Sequence, residues 1–217
     1  MTSLWSLAHE RLQPDIQSMD QETLNKIKEN KPEYQASNTG YYLTDEEVSL
    51  VKELMPKPEW YLNPEIISSI HGIAHTLRVM VHAVLLTRNL INDSDREALL
   101  IACSIHDTQR MNDKGDEGHE DRVISWLPEH FSQHPLLSQV LMILRDASAL
   151  SKYLRTADAL DRFRLPKVKW WIDDSYLEIK PSAELKEFSF NLVVSSEQLR
   201  LNGIGDKESI FSCLQIQ

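Results

Sequence analysis

His106 and Asp107 stand at the polar end of an apolar stretch, residues 98–105, and two further residues fall where a metal site would need them. His75 lies upstream of the pair and Asp158 lies downstream. Imidazole nitrogens and carboxylate oxygens together bind divalent transition-metal ions. The order His, His-Asp, Asp therefore predicts a metal site assembled from distant parts of the chain.

The residue types also indicate what such a site would do. A structural zinc site favours cysteines at short spacing, whereas these ligands are histidines and carboxylates on separate segments. A site of this kind keeps coordination positions open to water. A metal ion there lowers the pKa of a bound water and stabilises charge on phosphoryl oxygens, so the set favours phosphoester hydrolysis.

Helices would have to position these ligands. Apolar residues recur at helical spacing over 64–90, which predicts one long helix carrying both His71 and His75 on one face. A helix over 95–106 would end on the His-Asp pair, and another would begin at His119, after the polar loop 112–118. Further helices are predicted over 3–12, 20–30, 136–146 and 148–165, and over a segment that starts with a capping box at Thr44 and ends before Pro56.

These elements predict an all-α fold in three parts. An N-terminal helical extension, residues 1–60, would pack on the core. A metal-binding helical domain would occupy residues 61–175, and residues 176–217 would form a C-terminal extension of the same domain. Within that extension, residues 182–201 fit either one buried helix face or a small hairpin.

The four candidate ligands resemble, in order and context, the H…HD…D signature of the HD-domain superfamily of metal-dependent phosphohydrolases. Arg78-Val79 follows the first histidine, and the last aspartate lies within Ala157–Arg162. The resemblance covers roughly residues 65–165. Within the superfamily, the chain looks like the members of a subgroup that has His-Gly-x-x-His at the first position (His71 to His75) and a polar segment after the His-Asp pair.

The resemblance implies an HD-domain helical bundle in which His75, His106, Asp107 and Asp158 hold one or two divalent ions, of Mn, Mg, Fe, Co, Ni or Zn. It implies a phosphohydrolase of the nucleotidase or phosphodiesterase type, acting on a nucleotide or another small phosphorylated metabolite. Some members of the superfamily have lost catalysis. The alternative is therefore an inactive HD-fold module that senses a nucleotide or binds another protein.

Two residues are predicted to take part in catalysis. Asp107 would orient the attacking water while it holds the ion, and His119, or alternatively His71, would assist the leaving group. His119 could instead be a surface residue at a helix N-terminus. For the last ligand position, Asp158 follows the family pattern, and Asp161 is left to pair with Arg162 or Arg164.

Three residues are predicted to contact the substrate. Arg78 and Arg110 each follow a ligand by three residues, and guanidinium groups bind phosphate in a bidentate manner. For both arginines the alternative is an ion pair with one of the many carboxylates. His71 could contact phosphate, bind a second ion or be a core histidine. Asp113 and Asp116 could anchor these arginines or be solvated loop residues, and the solvated interpretation is the one expected.

The composition limits partners and location. The chain has 217 residues, with 23 Lys and Arg against 33 Asp and Glu, a net charge of −10, so nucleic-acid binding is not expected. No apolar run approaches the roughly 18 residues of a membrane span. The N-terminus has no basic and apolar leader, and there are two cysteines, which favours a cytoplasmic location. The expected partner is a small phosphorylated substrate, and the sequence leaves open a homo-oligomer.

Overall fold

The computed structural model describes residues 1–35 and 40–214, and its regular elements are all helical. The prediction of an all-α fold is confirmed. Residues 36–39 of the predicted N-terminal extension and 215–217 of the C-terminal one lie outside the described residues. The α-helices are α1 Leu4–His9, α2 Gln21–Glu29, α3 Asp45–Leu54, α4 Ile73–Thr87, α5 Asp93–Ile105, α6 His119–His130, α7 Leu137–Leu144, α8 Ser151–Leu160, α9 Ala183–Leu201 and α10 Asp206–Leu214. Short 3-10 turns occur at Pro58–Trp60, Pro64–Ser68, Asp161–Arg164, Val168–Trp170 and Asp174–Tyr176.

The start of α3 shows a local signal that works as predicted. The Thr44 hydroxyl accepts from the backbone N–H of Glu47, and the Glu47 carboxylate accepts from the backbone N–H of Thr44 at 2.8 Å. Both donors would otherwise be unpaired at the helix N-terminus. The helix ends at Leu54, before Pro56, because proline disfavours helical backbone in the residue that precedes it.

The ambiguous segment 182–201 forms one helix, α9, and no strand occurs in residues 1–35 or 40–214. Leu185, Ser189, Leu192 and Ser196 recur at helical spacing and are all buried. The two serine hydroxyls donate back to the carbonyls four residues earlier, each at 2.7 Å, so they are satisfied inside the core. The helical period therefore outweighs the short alternation that had suggested a hairpin.

The predicted continuous helix over 64–90 is wrong, because the chain turns between two separate helices. A 3-10 turn at Pro64–Ser68 ends before Gly72, whose N–H donates to the Ser69 carbonyl at 3.0 Å, and α4 begins at the next residue. His71 therefore lies in the turn and not on α4. The expectation that His71 is stacked one helical turn before His75 is wrong as well.

The turn depends on the missing side chain of Gly72. A Cβ atom there would lie 2.1 Å from the Ile67 carbonyl oxygen and 2.4 Å from that of Ile66. We expect Gly72→Ala to lower the free energy of unfolding by about 1–3 kcal/mol or more, because backbone atoms must move to make room. Urea unfolding measures this change. Gly40→Ala is the matched control, since a Cβ there meets nothing within 4 Å, and equal losses in the two variants would contradict this account.

Helix α4 is the central element of the molecule. It packs against α3, α5, α8, α9 and α10, and its residues from Ile73 to Leu85 are all buried. A helix buried on every side lies inside the core, so polar side chains on it must find partners there. His75, Arg78 and His82 are the long polar residues on this helix, and all three are buried.

The terminal segments pack on this core. Leu24 and Ile27 of α2 form a second apolar cluster with Phe163, Phe190 and Val193. Helix α10 packs on α4 and α9. The boundaries at residues 60 and 175 stay predictions. Across the described part of the chain, none of the helices combines the length and the apolar content needed to span a membrane.

Candidate metal centre

The four predicted ligands converge at one place. The Nε2 atom of His75, on α4, lies 3.3 Å from Oδ2 of Asp107 and 3.4 Å from Oδ1 of Asp158, on α8. The Nε2 atom of His106, at the end of α5, lies 3.7 Å from the same Oδ2 of Asp107. Donor atoms of His75, His106 and Asp107 all lie within 4.8 Å of one another. Asp158 is the most open of the four, with 43% of its side chain exposed.

The outer nitrogens of both histidines are fixed by hydrogen bonds. His106 Nδ1 lies 2.7 Å from the carbonyl oxygen of Cys103, and a carbonyl can only accept, so Nδ1 carries the proton. His75 Nδ1 likewise lies 2.8 Å from a carboxylate oxygen of Asp161. In the neutral ring Nε2 then has no proton and offers a lone pair toward Asp107. Metal-binding histidines are held by outer partners in this way.

The bare nitrogens are the deciding feature of the site. Nε2 of His75 and Nε2 of His106 are buried and have no hydrogen-bond partner among the described residues. When the two rings are neutral, these lone pairs face carboxylate oxygens at 3.3 and 3.7 Å, an arrangement that is repulsive unless a cation lies between the atoms. Two donors about 2.1 Å from one ion, at angles of roughly 90–125°, lie about 3.0–3.7 Å apart. The donor set therefore fits a divalent metal ion.

The protonation states of the candidate ligands also suit metal binding. Burial lowers the pKa of His106, so the ring is neutral near pH 7. Burial opposes the ionisation of Asp107, but the positive charges of His106, in its protonated form at low pH, and of Arg110 outweigh it and hold the pKa of Asp107 well below its ordinary value. The pKa of Asp158 is also lowered, since the protonated form of His75 and the guanidinium of Arg164 outweigh the partial desolvation of this carboxyl. Neutral imidazoles and ionised carboxylates are the forms that bind metal.

Asp161 supports His75 from behind and does not face the other ligands. Its carboxylate is fully buried and accepts from His75 Nδ1 and from Arg78 Nε, the latter at 2.5 Å. Burial alone would raise the pKa of Asp161, but Arg78 and His75 lower it below its ordinary value. The sequence had placed Asp161 with the arginines that follow it. Of these, Arg164 does approach it, at 3.5 Å.

Of the two interpretations left open for Arg78, the structure shows the ion pair. Its side chain is 1% exposed, and Nη1 donates to Oε1 of Glu197 at 2.8 Å while Nε donates to Asp161. A substrate phosphate cannot reach this guanidinium, because protein atoms surround it. Arg78 therefore acts on the site only through Asp161 and His75.

Arg110 and His119 lie beside the other oxygen of Asp107. Arg110 Nε donates to Oδ1 of Asp107 at 2.8 Å, and Nε2 of His119 lies 3.4 Å from the same oxygen and 3.4 Å from Nη2 of Arg110. His119 Nδ1 donates to the Asp116 carbonyl at 2.5 Å, so Nε2 carries the lone pair in the neutral ring. The start of α6 is thus a helix N-terminus and also a wall of the site.

The expectation that Asp113 and Asp116 are solvated is wrong. The Asp113 side chain is fully buried and accepts from the backbone N–H of Gln17 at 2.7 Å, from the hydroxyl of Ser69 at 2.8 Å and from His71 Nδ1 at 2.8 Å. The carboxylate of Asp116 accepts from the Met111 N–H and from Arg122. Spacing along the chain contained no signal for Asp113, because Gln17 and Ser69 come from distant segments.

Asp113 holds His71 at the edge of the site. The rings of His71 and His75 are perpendicular, with centroids 5.9 Å apart. Burial lowers the pKa of His71 to about 4 although Asp113 opposes this shift, so the ring is neutral near pH 7. The proton of the neutral ring is then on Nδ1, toward Asp113. The N-terminal segment helps to hold the loop that carries Asp113, since the backbone N–H of Asp113 donates to the carbonyl of Asp15 at 2.7 Å.

We expect Asp113→Ala to release His71 from this single tautomer, because the acceptor of the Nδ1 proton is gone. Imidazole ¹⁵N shifts would then show a mixture of Nδ1–H and Nε2–H forms in place of Nδ1–H alone. Asp116→Ala is the matched control: it removes another buried carboxylate from the same loop but leaves the contact between Asp113 and His71. If His71 kept one tautomer in Asp113→Ala, the positioning role would be refuted.

Comparison of the chain with protein-family models, with curated proteins and with solved structures finds no match.

Proposed function

We propose that this chain is a metal-dependent phosphohydrolase of the HD-domain type, acting on a phosphoester of a nucleotide or another small phosphorylated metabolite. The observation that carries the proposal is the pair of buried, unpartnered Nε2 atoms of His75 and His106, which face the ionised carboxylate of Asp107. The order of these residues and of Asp158 along the chain adds the resemblance to the HD-domain signature.

A divalent ion bound there would supply a water of lowered pKa and would stabilise charge on phosphoryl oxygens. The chain's own residues divide the remaining work. Asp107 presents Oδ2 to the two histidines and Oδ1 to Arg110 and His119, so one carboxylate links the ligand side of the site to its polar edge.

Arg110 is the cation at that edge. Its side chain is 13% exposed, so it lies at the boundary between Asp107 and the open side of the site. There it would hold a phosphoryl oxygen and orient the ester. In its imidazolium form His119, next to the same guanidinium, would donate a proton from Nε2 to the leaving oxygen and return to the neutral ring. His71 would contribute a further neutral nitrogen beside His75.

A non-catalytic HD-fold module is the alternative function. A module that only sensed a nucleotide would not need two histidines with unpartnered Nε2 atoms. It would also not need outer partners that keep the ring proton of each histidine on Nδ1. The presence of these outer partners, Asp161 and the Cys103 carbonyl, supports the enzyme.

The test combines metal analysis with hydrolysis assays. Purified protein is loaded in turn with Mn²⁺, Co²⁺, Ni²⁺, Zn²⁺ or Mg²⁺ and assayed against a panel of nucleotides and small phosphate esters. We expect turnover by the wild type and none by the His106→Ala/Asp107→Ala double variant. Turnover that survives the double substitution would refute this site. Bound metal without turnover on any ester would favour the sensing alternative.

A further inference from the structure

A pocket of about 260 Å³ opens over two of the candidate ligands, His106 and Asp158. It lies between α6, α7 and α8, and His119 is also among its lining residues. A phosphate ester held at the metal centre would therefore direct the rest of the molecule into this pocket. The volume is slightly below the range of about 300–1,000 Å³ typical of ligand sites, so it suits a compact body.

The walls of the pocket are mainly apolar. They are formed by Val123 of α6, Ile143 and Leu144 of α7, and Leu154 of α8. The one hydroxyl among the lining residues, on Ser151, already donates to the carbonyl of Ile143 at 2.9 Å. The walls therefore offer apolar contact and few free hydrogen-bonding groups.

The rim of the pocket carries more negative than positive charge. Glu120 and Asp146 are exposed carboxylates, and Arg155 is the only arginine or lysine among the lining residues. Arg155 is already paired with Asp146 and with Glu178. A second anionic group on the substrate would meet the exposed carboxylate of Glu120, while the guanidinium of Arg155 is already held by Asp146 and Glu178.

We propose that the substrate class is a phosphomonoester whose leaving group is compact, largely apolar and free of a second anionic group. This inference rests on the proposed function, because it assigns the phosphate to the metal centre. It places the phosphate against Arg110 and the ligands and the body of the leaving group against Leu144 and Leu154. Esters that carry further phosphates or carboxylates are disfavoured at the rim.

Binding of inert phosphonates to the Mn²⁺-loaded wild type tests the inference without any turnover. Calorimetry would compare methylphosphonate, phenylphosphonate and 4-carboxyphenylphosphonate. We expect phenylphosphonate to bind about tenfold more tightly than methylphosphonate, or better, through contact with the apolar walls. We expect the added carboxylate to weaken binding by about tenfold or more. Equal affinity of the methyl and phenyl compounds, or tighter binding of the carboxylated one, would overturn the inference.

Two variants locate the effects. Leu154→Asn should remove most of the preference for the phenyl group. Leu141→Asn is its control, since Leu141 is also half-buried but does not line the pocket. Glu120→Gln should recover part of the affinity lost to the carboxylate. A preference that is unchanged in a folded Leu154→Asn protein would contradict the placement.

The two proposals fail in different ways. Hydrolysis without a phenyl preference would leave the phosphohydrolase standing and reject the substrate class. A phenyl preference in a protein that turns over no phosphomonoester would support the pocket and reject catalysis.

Discussion

Asp107→Ala is expected to abolish tight binding of a divalent ion at the candidate centre and to lower the proposed phosphohydrolase activity by roughly a thousandfold or more. The side chain faces His75 and His106 with one oxygen and Arg110 and His119 with the other. Its removal therefore takes away an ionised ligand. It also leaves the two bare histidine nitrogens without the negative charge that makes a cation favourable between them.

Two measurements check this result: metal content after dialysis, and kcat/KM on whichever ester the wild type hydrolyses. Circular dichroism shows whether the variant is folded. Asp121→Ala is the control, because Asp121 is an exposed carboxylate near the start of the same helix as His119 and does not line the pocket over the ligands. A folded Asp107→Ala protein that kept its metal and most of its activity would disprove the assignment.

Arg78→Met is expected to lower the free energy of unfolding by about 3–5 kcal/mol, the cost of breaking a buried ion pair by removing one partner. The guanidinium is 1% exposed and satisfies Asp161 and Glu197, which are themselves 0% and 3% exposed. Without it, two carboxylates remain buried with part of their compensation lost. The loss therefore comes mainly from unpaired charge and not from missing volume.

Urea unfolding of three further proteins separates these causes. Adding Glu197→Gln to Arg78→Met should restore part of the stability, because it neutralises a buried carboxylate that has lost one of its two arginine partners, while its other partner, Arg200, keeps Asp206. The Glu197→Gln single variant supplies the reference for that comparison. Lys26→Met removes an exposed pair with Glu29 and should cost far less than Arg78→Met, because solvent screens such a pair. If Arg78→Met cost as little as Lys26→Met, the buried network would not stabilise the fold.

The candidate ligands were accessible from the sequence because their signals are local. His106 and Asp107 end an apolar helical stretch, and position at a helix end lets two adjacent side chains turn toward one point. Residue type then limits the chemistry, since histidine and aspartate are metal ligands wherever they converge. The choice of Asp158 over Asp161 followed the family pattern, and Asp158 is the one that faces Nε2 of His75.

The residues that hold the site's histidines from outside could not be predicted from such local signals. Asp113 lies in a polar loop, and the donors that bury its carboxylate come from Gln17, Ser69 and His71, which only the folded chain brings together. A carboxylate in such a loop looks solvated when it is considered without its donors. The sequence therefore predicted the wrong environment for Asp113, although it named His71 as part of the site.

The sequence by itself determined the helical class, the capping of α3 and the set of metal-type residues, because helical periodicity and residue chemistry are properties of short segments. Only the tertiary structure decided which ring nitrogen of His75 and of His106 donates a hydrogen bond. It also decided that Arg78 forms ion pairs with Asp161 and Glu197, and that the chain turns at Gly72. These features depend on contacts between segments that the sequence does not place side by side. Burial makes an unpaired charge or hydrogen-bonding group costly, so the partners of these groups are set by the tertiary contacts.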